Sequence, residues 1–136
     1  MNPPFDLLRP KRTIRGMSAI LLPWLDENQI DWPSWETHLR RTASVGITPA
    51  VNMDTGYVHL LSDAQRIAIL DRTKCTLGGD PFIAGAIVVD QPGMPLDADL
   101  YRQRIDEIVS RGGTPVIFPS YGLTSQPGEM IVQSYQ

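Results

Sequence analysis

The sequence contains one cysteine, no long apolar run and no cluster of metal-binding residues. Cys75 is the only cysteine among 136 residues, so an internal disulfide and a metal site of the Cys/His type are both excluded. The longest fully apolar runs, residues 19–22 and 86–89, are far shorter than the roughly 20 residues that cross a bilayer. We therefore expect a soluble cytoplasmic protein with no metal site and no membrane partner.

The chain also lacks the charge and the glycine loops that mark nucleic-acid and nucleotide binding. Its 12 basic and 15 acidic residues give a net charge of −3, which argues against a nucleic-acid partner. No G-x-G-x-x-G follows the first apolar run, and no G-K-[ST] occurs anywhere in the sequence. A nucleotide-binding domain is therefore disfavoured, and no cofactor is expected.

The composition is that of a single globular domain. Hydrophobic residues make up 42% and charged residues 20% of the chain, and 136 residues suffice for one core but not for two ordinary ones. Residues 1–13 carry three prolines and three basic residues, which predicts an irregular leader. Residues 14–136 are expected to form the domain.

Strand and helix signals alternate four times along the domain. Apolar runs at residues 15–22, 49–51, 82–89 and 114–118 predict four strands. Helix-start signals follow each run: Asp31 with Pro33, a capping box of Ser62 and Gln65, Asp97 or Asp99, and Gly128. The connections are short enough to force parallel neighbours, and both a doubly wound sheet and a barrel fit this pattern.

The second strand leads into the first candidate site. Residues 52–56 form a polar turn between this strand and the helix start at Ser62. In parallel α/β folds, ligands bind in the loops that follow the carboxyl ends of strands. Asp54, Thr55 and Gly56 would place a carboxylate, a hydroxyl and free amides at that edge. The alternative is that they are turn residues whose side chains cap local amides.

Three segments resemble signatures of one enzyme family, in the same order. They are residues 15–31 (RGMSAILLPWLDENQID), 52–66 (NMDTGYVHLLSDAQR) and 118–128 (FPSYGLTSQPG). Together they resemble the dihydrodipicolinate synthase / N-acetylneuraminate lyase family over essentially the whole chain. The resemblance implies a (β/α)8 TIM barrel, which takes about 250 residues. We therefore expect its amino-terminal half, about four parallel βα units, truncated after the fourth strand and the start of its helix.

The resemblance also implies a chemistry and its residues. Members of the family form a Schiff base between a lysine and pyruvate or another 2-oxo acid. Thr55 matches a threonine that holds the substrate carboxylate through its hydroxyl and amide, so Asp54, Thr55 and Gly56 are the expected substrate-binding residues. Tyr121 matches a tyrosine that relays protons and is the expected catalytic residue. A homo-oligomer is expected for the full-length protein.

Departures from the family pattern leave two functions open. Asp54 stands where the family has a threonine, Tyr57 replaces a glutamate, and the lysine of the sixth strand has no counterpart. Neither Lys11 nor Lys74 is placed to act as the nucleophile. The chain is thus expected to be a fragment of a lyase or aldolase that is inactive alone. The alternative is a non-catalytic, degenerate half-barrel that acts as a binding or interaction module.

Four parallel strands cut from a closed barrel would leave two open sheet edges, at residues 15–22 and 114–118. Both runs are apolar, and they would present unpaired backbone groups to solvent. The faces that the other half of a barrel covers would be exposed as well. Expressed alone, the chain is therefore expected to dimerise or aggregate.

Overall fold

A computed structural model describes residues 13–135, so the predicted leader lies outside the described residues except for Thr13. Two 3₁₀ turns, Asp54–Gly56 and Val58–Leu60, separate the second strand from the second helix. Over the described residues, no helix is both long and apolar enough to span a bilayer. The strands and helices are, in chain order, β1 (Met17–Ala19), α1 (Trp32–Ser44), β2 (Thr48–Val51), α2 (Asp63–Leu77), β3 (Ile83–Ala86), α3 (Ala98–Val109), β4 (Thr114–Ile117), α4 (Tyr121–Thr124) and α5 (Gly128–Ser134).

The four strands form one parallel sheet in the order β1-β2-β3-β4. A doubly wound sheet reverses its strand order at a switch point, whereas here each strand lies beside the one that precedes it in the sequence. Consecutive parallel strands joined by crossovers of one hand place all their helices on the same face. The described residues therefore have the architecture of half a (β/α)8 barrel, which confirms the predicted fold class.

One face of the sheet, the helix face, carries the core. Its residues on the two central strands are buried and pack against α1, α2 and α3, whereas Ser18, Pro115 and Ile117 on the outer strands are half-buried. Trp35 and Leu39 of α1, one helical turn apart, are at 1% and 0% exposure and form the buried side of that helix. The buried residues of the helix face are Ile20, Pro49, Val51, Ala84 and Ala86.

The opposite face of the sheet, the open face, is only partly covered. Met17 and Thr114 are exposed there, whereas Ala50 and Gly85 of the central strands are buried. In a closed barrel this face would point inward and be filled by layers of side chains. The remaining residues of the open face, all half-buried, are Ala19, Thr48, Ile83 and Val116.

The strands are shorter than the apolar runs that predicted them. The run at 15–22 contributes only the three residues of β1, and the run at 82–89 only the four of β3. Residues 87–89 have no partner because β2 turns away at Asn52 and β4 turns away at Pro119. Pro49 has no N–H to give to β3, and pairing between β2 and β3 accordingly begins one residue later, at Ala50.

The helix starts follow the predicted capping signals. Asp31 accepts a hydrogen bond from the Ser34 amide at 3.1 Å, and Asp97 does the same for Leu100 at 2.9 Å. Both halves of the capping box at the start of α2 are present. Helix α4 was not predicted: it is a single turn that starts at Tyr121, directly after β4.

Candidate functional site

Two loops at the carboxyl edge of the sheet carry all the predicted site residues. The β2 loop, residues 52–61, contains Asp54, Thr55 and Gly56. The β4 loop, residues 118–122, contains Tyr121. They lie on the same edge because β2 and β4 are parallel strands of one sheet.

Helix α2 holds the β2 loop in place. The Asn52 side-chain amide donates to the Arg66 carbonyl at 3.1 Å, and Asn52 itself turns the chain with a φ of +50°. The Arg66 guanidinium donates to the carbonyls of Leu61 at 2.7 Å and Val58 at 3.3 Å. Val58 is fully buried, so the loop is pinned at its start, its middle and its end.

A charged network extends this anchor to α3. Asp63 accepts hydrogen bonds from Arg66 and from Arg104, the latter at 2.8 Å, and Arg104 also pairs with Glu107 at 3.1 Å. Hydrogen bonds from Arg104 and then from Arg66 hold the pKa of Asp63 below its ordinary value. Burial alone would lower the pKa of Arg104, but Asp63 and Glu107 outweigh it and raise that pKa. Arg104 therefore stays charged beside Asp63.

The backbone amides around Gly56 are already engaged. The Asp54 carboxylate accepts from the Thr55 amide at 2.8 Å, and the Gly56 amide donates to the Met53 carbonyl at 3.0 Å. The prediction of free amides here is therefore wrong, because the first turn of the loop consumes them. Within residues 13–135 the Thr55 hydroxyl has no hydrogen-bond partner, so it remains able to bind a ligand.

Thr55 and Gly56 open onto a cleft of about 440 Å³ that they share with the segment after β1. The walls contributed by that segment include Leu22, which is half-buried, and Trp24, which is 41% exposed. Tyr57, at 64% exposure, stands at the same cleft with a left-handed backbone. This first cleft is a mostly apolar space with a hydroxyl at its edge.

Two side chains from outside the β4 loop position Tyr121. The Tyr101 hydroxyl of α3 donates to the Phe118 carbonyl at 2.7 Å and accepts from the Ser120 amide at 2.8 Å. The Asp90 carboxylate, in the segment after β3, accepts from the Tyr121 amide at 2.8 Å and from the Gly122 amide at 2.7 Å. Hydrogen bonds to α3 and to the segment after β3 therefore fix the start of α4.

Tyr121 lines a second cleft, of about 320 Å³, together with His59 and Asp90. Thr55 and Tyr121 thus open onto separate clefts. Thr55 follows β2 and Tyr121 follows β4, and β3 lies between these two strands. The ends of β2 and β4 are therefore two strand spacings, or about 10 Å, apart. The β2 loop reaches both clefts, with Thr55 at the first and His59 at the second.

Sequence reasoning did not single out Asp90, Tyr101 or His59. Asp90 has a recognisable signal, because it is the first acidic residue after the buried run at 82–89 and hence lies at the carboxyl edge. Tyr101 has none, because its position among apolar residues of a helix predicts only burial. His59 is exposed and lines the cleft of Tyr121.

Asp90 makes the β4 loop sensitive to acid. Partial burial alone would raise the pKa of Asp90, but the amides of Gly122 and Tyr121 and the Ser120 side chain outweigh it and hold that pKa below its ordinary 3.8. A depressed pKa gives stability that is present above pH 3.8 and lost as the pH falls through the lower, folded value. We expect Asp90→Asn to lower the free energy of unfolding by about 1–2 kcal/mol at pH 7.

Urea unfolding of both proteins at pH 7 and at pH 3 checks this expectation. The difference between wild type and Asp90→Asn should shrink at the lower pH, because pH 3 lies below the ordinary pKa of 3.8, where the Asp90 carboxylate of the unfolded wild-type chain is largely protonated. Asp99→Asn is the control, because the Asp99 side chain is 93% exposed. A difference that stays constant with pH would show that the Asp90 charge does not support the loop.

The one lysine among the described residues lies away from both clefts. Lys74 lines a depression formed by the loops that precede β3 and β4, including Gly79 and Gly112. Those loops lie at the amino-terminal edge of the sheet. Lys74 therefore cannot reach a ligand held by Thr55 or Tyr121.

Comparison of the sequence with family models and with curated proteins found no match. Solved structures of dihydrodipicolinate synthases do match. The enzyme of Acinetobacter baumannii, solved with pyruvate, gives a TM-score of 0.73 at 20% identity over 90% of this chain and 41% of its own. That of Thermotoga maritima gives 0.71 at 18% identity over 91% and 40%.

A third matching structure is the 4-hydroxy-tetrahydrodipicolinate synthase of Methylacidiphilum fumariolicum. It gives a TM-score of 0.71 at 16% identity, over 90% of this chain and 39% of its own. The chain thus spans about 40% of the length of the structures it matches. Its fold is that of about two fifths of a dihydrodipicolinate synthase.

Proposed function

We propose that this chain is the amino-terminal half of a barrel of the dihydrodipicolinate synthase / N-acetylneuraminate lyase family, and that it carries the substrate-carboxylate loop and an acid–base tyrosine of a 2-oxo-acid lyase or aldolase. One observation carries the proposal. The three segments that resemble the family in sequence each include a loop at the carboxyl edge of the sheet, and the fold of the chain matches dihydrodipicolinate synthase structures over about 90% of its length.

Thr55 and Tyr121 are the residues with free polar groups for this role. The Thr55 hydroxyl can donate to a carboxylate of a 2-oxo acid such as pyruvate, which the Acinetobacter enzyme holds in its crystal structure. The Tyr121 phenol makes no hydrogen bond within residues 13–135, so it can exchange a proton with a ligand. Its backbone is fixed by Asp90, which leaves the phenol as the mobile part.

The Schiff base requires a lysine that the described residues do not supply at this edge. A nucleophilic amine must come within bonding distance of the ligand's carbonyl carbon. Lys74 lies at the opposite edge, as shown above. We therefore propose that these residues bind and orient a 2-oxo acid, and that the 136-residue chain alone forms no covalent adduct.

The second candidate is a binding or interaction module without chemistry. The specific observation in its favour is the hydrogen bond between the Asp54 carboxylate and the Thr55 amide. This internal carboxylate occupies a donor that a ligand carboxylate would use, and two carboxylates at one donor repel each other. A site filled in this way binds 2-oxo acids less well than one with a threonine at position 54.

Pyruvate titration of the ¹⁵N-labelled chain tests the proposal. We expect weak binding with a Kd in the millimolar range, about −4 kcal/mol, and shifts at the amides of Thr55, Gly56 and Tyr121. Asp54→Thr should tighten binding about tenfold, or 1.4 kcal/mol, because it frees the Thr55 amide. Thr55→Val should abolish the shifts. Borohydride added to the same samples should leave the mass of the chain unchanged.

The matched control is Thr76→Val, a half-buried threonine near the end of α2 that lines neither cleft. It should not alter the titration. If pyruvate causes no shift even with Asp54→Thr, the 2-oxo-acid site is wrong and the binding-module reading takes its place. If borohydride traps an adduct on Lys74, the placement of the chemistry at the carboxyl edge is wrong.

A further inference from the structure

The first cleft, beside Thr55, is larger than pyruvate needs. It holds about 440 Å³, a volume typical of pockets that take up whole small molecules. Pyruvate carries only a methyl group beyond its carbonyl, so with its carboxylate at the Thr55 hydroxyl it would leave most of the cleft to water. All the walls come from the segments after β1 and β2, which are paired neighbours in the sheet. The unused space is therefore part of the site itself.

The walls around the Thr55 hydroxyl are mostly apolar. The segment after β1 contributes Leu22 and the indole of Trp24, and the β2 loop contributes the ring of Tyr57 and the exposed Leu60. Binding sites for small molecules combine apolar and aromatic walls with a few polar groups that fix the orientation of the ligand. The first cleft has this composition, which favours a ligand with an apolar part of its own.

The backbone around Trp24 is held in place without a ligand. Trp24 pairs with Ile30 in an isolated antiparallel bridge, and the Leu25 amide donates to the Gln29 carbonyl at 2.8 Å. The Asp26 carboxylate accepts from the Gln29 amide at 2.9 Å. A wall that is already ordered costs less conformational entropy when a ligand binds to it. Trp24 is therefore well placed to contribute affinity.

The charges at this cleft disfavour a ligand with two carboxylates. Among the described residues that line it, Glu27 is the only charged one and none is basic. Asp54, next to Thr55, adds a second negative charge at the site. One ligand carboxylate can accept from the Thr55 hydroxyl, but a second one would enter a cleft that offers Glu27 and no cation. Like charges held close together are unfavourable.

We infer that the site takes 2-oxo acids that have a single carboxylate and a bulky apolar or aromatic substituent. The Thr55 hydroxyl holds the carboxylate, and the substituent packs against Trp24 and Tyr57. This inference rests on the proposed function and names the substrate class of the same site. Pyruvate is then the smallest acid that fits, and a larger apolar one binds more tightly.

A comparison of three 2-oxo acids tests the inference. The chains of 4-methyl-2-oxopentanoate and 2-oxoglutarate are of similar length, but the first ends in methyl groups and the second in a carboxylate. In titrations of the ¹⁵N-labelled chain, 4-methyl-2-oxopentanoate should bind about tenfold tighter than pyruvate, because its isobutyl group leaves water for the apolar walls. It should also shift the indole N–H of Trp24. By contrast, 2-oxoglutarate should bind no tighter than pyruvate, and Glu27→Gln should improve its binding more than that of the other two acids.

Two variants separate the substituent from the carboxylate. Trp24→Ala should weaken 4-methyl-2-oxopentanoate about tenfold, to the level of pyruvate, and should affect pyruvate much less. Thr55→Val should weaken both acids alike, because both use the hydroxyl. The matched control is Leu25→Ala, because Leu25 is next to Trp24 and 62% exposed but does not line the cleft.

The outcomes distinguish this inference from the proposed function. If pyruvate shifts the Thr55 and Gly56 amides but 4-methyl-2-oxopentanoate binds no tighter, the substrate class is wrong and the 2-oxo-acid site stands. The same holds if Trp24→Ala weakens both acids equally. Tight binding of 4-methyl-2-oxopentanoate that survives Thr55→Val would also overturn the inference, since the apolar group would then bind without the carboxylate contact. If none of the three acids shifts these amides even in Asp54→Thr, the proposed function fails together with the inference.

Discussion

Replacing Gly85 with alanine is expected to destabilise the protein by at least about 3 kcal/mol. A Cβ at this position would penetrate the Asn52 carbonyl oxygen and would lie 2.5 Å from Cε2 of Phe118. Neither neighbour can move away without a large cost in free energy, because one is backbone and the other is a ring attached to the end of β4. Since a domain of this size is stable by only about 5–15 kcal/mol, the loss is a large part of the total.

Gly85→Ala should also disturb both site loops together. Asn52 starts the β2 loop and Phe118 starts the β4 loop, and Gly85 lies between them in β3. Urea unfolding measures the stability loss, and amide shifts at Thr55 and Tyr121 report the loops. Gly16→Ala is the matched control, because a Cβ there meets nothing within 4 Å. Equal stability of the two variants would mean that the tight contact at Gly85 is relieved at little cost.

Arg66→Ala is expected to cost about 2–3 kcal/mol and to loosen the β2 loop. The Arg66 side chain is only 12% exposed, and its removal leaves the Leu61 and Val58 carbonyls without their donor. The cost is held below that of a fully buried ion pair because the Asp63 side chain is 63% exposed. Arg66→Lys should cost less stability than Arg66→Ala but more than none, because an ammonium group cannot donate to both carbonyls as the forked guanidinium of arginine does.

Hydrogen exchange separates this local effect from a general one. Amides of residues 58–61 should lose protection in Arg66→Ala at urea concentrations where α1 remains protected. Arg102→Ala is the control, because that side chain is 71% exposed and pairs with the exposed Asp99, which predicts a change below about 0.5 kcal/mol. Unchanged protection at residues 58–61 would show that Arg66 does not hold the loop.

Apart from α4, the order of elements was predictable because most helix ends have a local signal. The capping box of Ser62 and Gln65, the Asp97 cap and the left-handed Gly46 all depend on neighbours within a few residues. Strand existence was predictable from apolar runs, but strand length was not. Strand length depends on where the neighbouring strands turn away, as they do at Asn52 and Pro119. The residues inside an apolar run do not indicate where its neighbours end.

The site was predictable in its residues more than in its contacts. Thr55 and Tyr121 do lie at the carboxyl edge of the sheet, as the strand–turn pattern indicated. The bond from the Thr55 amide to Asp54 is the local capping that the turn pattern allowed as an alternative. That Arg66 and Asp90 would brace the two loops depends instead on groups 8 to 32 positions apart meeting in space. Periodicity and capping rules do not reach across such separations.

The strand order also shapes how the chain folds during its synthesis. Each strand pairs with the one made just before it, so every βα unit can dock as soon as it leaves the ribosome, at roughly 5–20 residues per second. Contacts between consecutive units are short in sequence, which favours rapid folding. The growing sheet always ends in its newest strand, and no finished pair has to reopen to admit a later one.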